Sequence, residues 1–202
     1  MKKAIAVGAV FLALASLDAR ATELGLLVDK SVGRSQTLGA AGSGLPAGSY
    51  DRAAPTGWGV RAAYTLLDLD VAELGAAVTY HPKAQDDLIQ SGINQGKLGN
   101  QYFAVGVQAD WKFLVNLHAG LDLRSEKITS SAANGVSDST TLWRPWVKAG
   151  VGWAAPTPVV SPFVRLEVAV PLTSSDSSNS TDDFRKAMAP SLQVALYGGI
   201  RF

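Results

Sequence analysis

The chain contains no cysteine in 202 residues. Disulfides, thiolate metal sites and a lipid-modified N-terminal cysteine are therefore excluded. It also lacks a charge excess, with 18 basic against 17 acidic side chains and a formal net charge of +1. No basic field marks nucleic acid as a partner. Beyond the first residues there is no apolar run approaching the roughly 20 residues of a membrane helix. Any later membrane-spanning structure must therefore be a closed barrel. No cofactor motif and no metal-ligand spacing is found.

What is present begins with Met1-Lys2-Lys3, an apolar run from Ala4 to Leu17, and Ala19-Arg20-Ala21. A basic start, an apolar core and an Ala-x-Ala site predict a secretory signal peptide over residues 1–21. Its removal takes away Lys2, Lys3, Arg20 and Asp18 and moves the formal charge from +1 to −1. Residues 22–202 suit a single domain.

That domain alternates. Eight stretches carry apolar residues at every second position: Glu23–Asp29, Trp58–Leu66, Val71–Tyr80, Tyr102–Trp111, Val115–Arg124, Leu142–Ala154, Phe163–Leu172 and Ser191–Phe202. A period of two predicts strands with one apolar and one mixed face. Lengths of about 9–11 residues suit a tilted bilayer crossing. Long polar connections at about 31–57, 82–99, 126–140 and 173–189 alternate with short ones near 67–70, 112–114 and 155–160. That asymmetry predicts an eight-stranded antiparallel up-and-down transmembrane β-barrel with both termini periplasmic. The outer segments read as solvated loops, and Asp182-Asp183 at most as a weak cation site without the ligand spacing of a calcium loop.

A soluble, lipocalin-like barrel would alternate in the same way with its apolar face inside. Three features favour the membrane version. Apolar-face aromatics gather at strand ends, Trp58, Tyr80, Phe103 and Trp143 at the outer rim and Trp111, Trp153 and Phe202 at the inner one. Two such girdles are expected at two membrane interfaces. The apolar face carries no charge along the middle of any strand, and the other face mixes glycines with long charged residues.

The inward set predicts a network of paired charges: Arg61, Glu73, Asp110, Asp122, Arg124, Arg144, Lys148, Arg165, Glu167 and Arg201, with Glu23 and Asp29 at the first strand. Buried charges must pair, and an eight-stranded barrel is only wide enough for its own side chains. The lumen thus reads as plugged, with ion pairing across neighbouring strands. Two readings compete with a structural role: a narrow channel for small solutes, and a lipid A-modifying enzyme built on a histidine. For the latter, His118 reads as a polar core residue and His81 as a loop residue, and neither lies in a His-x-Ser pattern.

The alternating strands, long outer connections and the closing Leu196-Tyr-Gly-Gly-Ile-Arg-Phe202 resemble the small bacterial outer-membrane β-barrel superfamily. That group includes the outer membrane protein A barrel domain and the X-, W- and opacity-type proteins. The resemblance implies a non-enzymatic role in envelope integrity, adhesion or defence in the cell outer membrane. The implied partners are outer-membrane lipid, an extracellular ligand met through the long loops, and the barrel-assembly machinery. Leu196, Ile200 and Phe202 would be that machinery's signal, on a protein acting as a monomer.

Overall fold

The computed structural model describes residues 22–157, 159–173 and 180–202. The expected signal peptide lies outside them. Eight long strands close a barrel: β1 (Thr22–Val32), β4 (Thr56–Leu69), β5 (Ala72–Gln90), β6 (Ile93–Trp111), β7 (Asn116–Ala132), β8 (Ser137–Ala154), β9 (Ser161–Pro171) and β10 (Leu192–Arg201). Two short strands, β2 (Gln36–Leu38) and β3 (Gly48–Tyr50), form a hairpin between β1 and β4, and helix α1 (Thr181–Ala187) precedes β10. All neighbouring pairs are antiparallel. β1 closes the ring, with Glu23 opposite both Arg201 of β10 and Ala63 of β4. No backbone edge is left to face lipid.

The strands are unequal, and here the structure departs from expectation. β5 and β6 run 19 residues each, β7 17 and β8 18, against 10 or 11 for β1, β9 and β10. The segments expected as loops over 82–99 and 126–140 are mostly strand, ending in tight turns. At the tip of the β5–β6 hairpin, Ser91 and Gly92 both take positive φ (51° and 79°), as a two-residue hairpin turn requires. The result is a four-stranded wall rising from one side of the barrel.

The periodicity continues into that wall with its sense inverted. Along β7, Leu117, Leu121 and Leu123 face outward, whereas higher up Ile128 and Ala132 are buried inward and Lys127 is exposed. β6 does the same, with Phe103, Val105 and Val107 outward and Leu98 inward. A strand whose apolar side switches from outside to inside has passed from lipid into water. Scanning for one continuous apolar parity therefore stops at the switch and mistakes the rest for loop.

The outer end is also folded rather than open. Leu38, Leu45, Tyr50, Leu88, Leu98, Ile128, Phe184 and Met188 form a buried apolar cluster joining the β2–β3 hairpin, α1 and the inner face of the wall. The rings of Tyr50 and Phe184 lie 5.0 Å apart. At about 1.5–3 kcal/mol for each large side chain removed from water, this outer cap is a substantial local core. Asp182 and Asp183 belong to it structurally. Ser180 caps α1 by accepting from the Asp183 amide at 3.1 Å, and Lys186 reaches Asp182 at 2.5 Å. Among the described residues no group of three potential metal ligands converges.

Candidate functional site in the barrel lumen

Inward positions recur every second residue on eight strands, so their side chains stack in layers along the barrel axis. At the inner end, Arg201 reaches Glu23 at 2.9 Å and Glu73 at 3.2 Å, and Lys112 from the β6–β7 turn also touches Glu73 at 2.8 Å. Above them Arg165 holds Asp110 at 2.7 Å, and His118 meets the same carboxylate through Nδ1 at 3.0 Å. The central layer is Arg61 against Glu167, with Nη1 donating to both carboxylate oxygens at 2.7 and 2.8 Å. Beside it Lys148 approaches Asp122 at 2.9 Å, and Arg124 lies 3.7 Å from the same residue.

Many of these contacts link strands that share no hydrogen bonds. Arg61 is on β4 and Glu167 on β9; Arg165 is on β9 and Asp110 on β6. They cross the lumen rather than run along its wall, unlike the expected pairing between neighbouring strands. Lys148–Asp122 and Arg201–Glu23 are the neighbouring kind. Removing one member of a buried pair costs about 3–5 kcal/mol because its partner is stranded.

All ten expected network residues point inward, and all but Arg201 are buried. Several further partners join them. Glu126 is fully buried and takes Arg144, whose Nη2 also donates to the Pro190 carbonyl at 2.9 Å. Trp146 lies beneath the Arg124 guanidinium at 4.1 Å, and Tyr197 beneath that of Arg61 at 4.6 Å. His81, expected in a loop, sits inside β5 with 2 % exposure and Nε2 2.7 Å from Asp29. Its ring stacks on Tyr102 at 4.9 Å. The signal was available: Glu126 extends the inward parity of Asp122 and Arg124, and His81 extends that of Thr79. Trp146 shares the inward parity of Arg144 and Lys148, an aromatic on the charged face.

Gln193 ties the upper layer together, donating to Asp29 and to the Tyr102 hydroxyl while accepting from Arg124 at 2.7 Å. Ser31 donates to Asp29 at 3.1 Å, so its hydroxyl is committed to the carboxylate.

The opposite face meets lipid. Leu26, Leu121, Val107 and Leu166 project outward, with Leu26 61 % exposed. The aromatic set lies on the same surface: Trp58, Phe103, Trp111, Trp143, Trp153 and Phe202 are exposed and Tyr80 half-buried. Leu196, Ile200 and Phe202 also face outward on the last strand. From Leu117, opposite Trp111, to Ser125, opposite Phe103, β7 advances eight residues. At roughly 3.3 Å per residue and a tilt near 40°, that is about 20 Å of height, close to the apolar band of a membrane barrel. No helix among the described residues is long and apolar enough to cross a membrane.

No family model and no curated protein sequence matches the chain. Solved structures do. Neisserial surface protein A aligns over 90 % of this chain and 95 % of its own, at 12 % identity and a TM-score of 0.50. Ail, the attachment invasion locus protein of Yersinia pestis, aligns over 90 % and 98 % at 14 % identity and a TM-score of 0.49; one of its structures holds the heparin analogue sucrose octasulfate. With its closed ring of eight antiparallel strands, inward charges and apolar exterior, this chain has the fold of the small eight-stranded outer-membrane β-barrel proteins.

Proposed function

We propose that this protein is a sealed outer-membrane barrel whose role is structural and interactive rather than catalytic or conductive. The observation that carries the reading is the pair of ion contacts crossing the lumen, Arg61–Glu167 and Arg165–Asp110, beneath an apolar outer cap. A solute entering the barrel would have to break buried charge pairs and then displace Phe184 and Met188. Neither step is compensated by anything the solute offers. The function then lies outside the lumen, in what the wall, the β2–β3 hairpin and α1 present to the exterior.

The histidines support the non-catalytic reading. Each is anchored to an acid, His81 to Asp29 and His118 to Asp110, and the hydrogen bonds of both residues are to carboxylates. Hydroxyl activation needs a serine or threonine within hydrogen-bond reach of the imidazole.

In this reading residues 1–21 are removed on export, and Leu196, Ile200 and Phe202 form the edge read by the assembly machinery. The test is solute flux. Liposomes carrying the refolded barrel, confirmed folded by its heat-dependent gel migration, should swell in small sugars no faster than empty liposomes. Swelling that rises with protein content would refute the sealed lumen.

A further inference from the structure

Above the outer girdle, the outer face of the wall changes character within one step. Phe103, Ser125 and Trp143 are register partners across β6, β7 and β8. Two residues further along the same strands the partners are Gln101, Lys127 and Thr141. After tilt, that step raises them about 5 Å above the aromatic row. Aromatic rings settle at the boundary between acyl chains and headgroups, so the next row stands at headgroup height.

A second lysine is brought to the same place by a glycine. Gly99 faces outward between inward Leu98 and Asn100, and a Cβ there would fall 2.4 Å from Cε of Lys83. The missing side chain lets Lys83 lie across β6, so that it and Lys127 border one cleft of about 320 Å³ with Gln101, Thr129 and Ser139. Gln101 also reaches the girdle hydroxyl of Tyr80 at 3.4 Å. Asp138 borders the cleft, but Arg185 claims its carboxylate at 2.9 Å. Lys83 and Lys127 make no ion pair among the described residues.

Two uncommitted ammonium groups, an amide and three hydroxyls, Ser137 being the one already bonded to Ser131, around an open polar cleft suit a phosphate with hydroxyl-bearing neighbours. We infer that this cleft binds the phosphorylated headgroup of a glycolipid in the outer leaflet. Its position fixes the source. The cleft is continuous with the lipid-facing belt through Tyr80 and Phe103, so a ligand that seats its phosphate between Lys83 and Lys127 can keep its acyl chains on the girdle. A soluble phosphate gains only the upper half of that surface. The inference rests on the membrane reading for which end faces outward.

The test uses the folded barrel in zwitterionic detergent micelles, with folding verified beforehand by heat-dependent gel migration. Native mass spectrometry is used to count retained lipid A carrying two phosphates, one or none. Bisphosphorylated lipid A should bind best, and binding should fall with each phosphate removed. K83Q/K127Q should weaken it about twenty-five-fold, at about fivefold per surface lysine. Gly99→Ala keeps every charge but moves the Lys83 stem, and should still weaken binding severalfold. Lys30→Gln removes an exposed cation from β1 on the opposite side and should leave affinity within about twofold. Equal losses in Lys30→Gln and Lys127→Gln would reveal a diffuse charge effect and overturn the site. So would equal retention of dephosphorylated lipid A, or inorganic phosphate displacing the lipid at equal concentration.

Discussion

The guanidinium of Arg61 and the carboxylate of Glu167 meet at 2.7 Å in the middle of the lumen, from two strands that are not neighbours in the sheet. Arg61 also donates through Nε to Thr79 at 3.1 Å and lies over the Tyr197 ring. Its position is thereby fixed from three sides. The pair acts as a crossbar joining opposite walls.

Breaking one end of that crossbar should be worse than replacing both. Arg61→Met leaves Glu167 only the longer contacts to Arg165 at 3.4 Å and His118 at 3.7 Å, and should lower stability by about 3 kcal/mol, the low end for a broken buried pair. R61M/E167M, which leaves two apolar side chains of fitting length, should recover at least half of that loss. Urea unfolding in micelles, followed by tryptophan emission, measures both. A double variant no better than the single would show that the pair is not a coupled unit.

The outer cap should unfold separately from the barrel. Phe184 is fully buried against Tyr50, and Phe184→Ala should cost the cap about 3–5 kcal/mol. Proteolysis should then cut within the β2–β3 region and around α1, while boiled and unboiled samples still migrate differently. Loss of the heat-dependent shift would mean that cap and barrel fold as one unit.

Helix α1 carries a pH dependence outside the membrane. The hydrogen bond from Lys186 holds the Asp182 carboxyl below its ordinary value of 3.8, and the same bond raises the Lys186 ammonium above 10.5. A lowered carboxylate stabilises the folded form above its unfolded value, and the effect is lost as pH falls through the folded one. A raised lysine stabilises below its unfolded value and loses that effect as pH rises through the folded one. Protection of the α1 amides against hydrogen exchange should therefore be flat between about pH 4 and 10 and fall on both sides, after correction for intrinsic rates. Ser180→Ala should cost about 1 kcal/mol at every pH in that window. Protection that keeps rising below pH 4 would contradict the Asp182 assignment.

Tryptophan depth separates the two faces of the barrel. Of the five tryptophans, Trp146 is buried under Arg124, while Trp58, Trp111, Trp143 and Trp153 face outward. In bilayers of brominated lipid, a variant retaining only Trp146 should resist quenching. Variants retaining only Trp143 or only Trp153 should be quenched most by bromines near the headgroups. Strong quenching of Trp146 would place that strand the wrong way round.

Within the bilayer the fold was legible because lipid outside and charge inside leave an alternation that no helix imitates. The eight crossings, their order and the inward placement of residues such as Arg61 and Glu167 follow from it. Above the girdle the same alternation continues with its sense reversed, as the change from Leu123 outward to Ile128 inward shows. The 82–99 and 126–140 segments therefore read as loop, and His81 as a loop residue. Which strand a charge pairs with was not legible either. Parity places Arg61 inside, but the lumen's narrowness brings it to Glu167 across the ring, and sequence distance carries no trace of that. Helix α1 left the signature of Ser180 three residues before Asp183, weak because no apolar repeat long enough to notice follows it.

The central claim is that the lumen is closed by its own side chains, and current through a single barrel tests it most directly. Recordings in planar bilayers at up to about 100 mV should show no steady openings from the folded wild-type protein, since crossing would require parting Arg61 from Glu167 and lifting the outer cap. Stable, ohmic openings whose frequency scales with the amount of folded barrel would contradict the account.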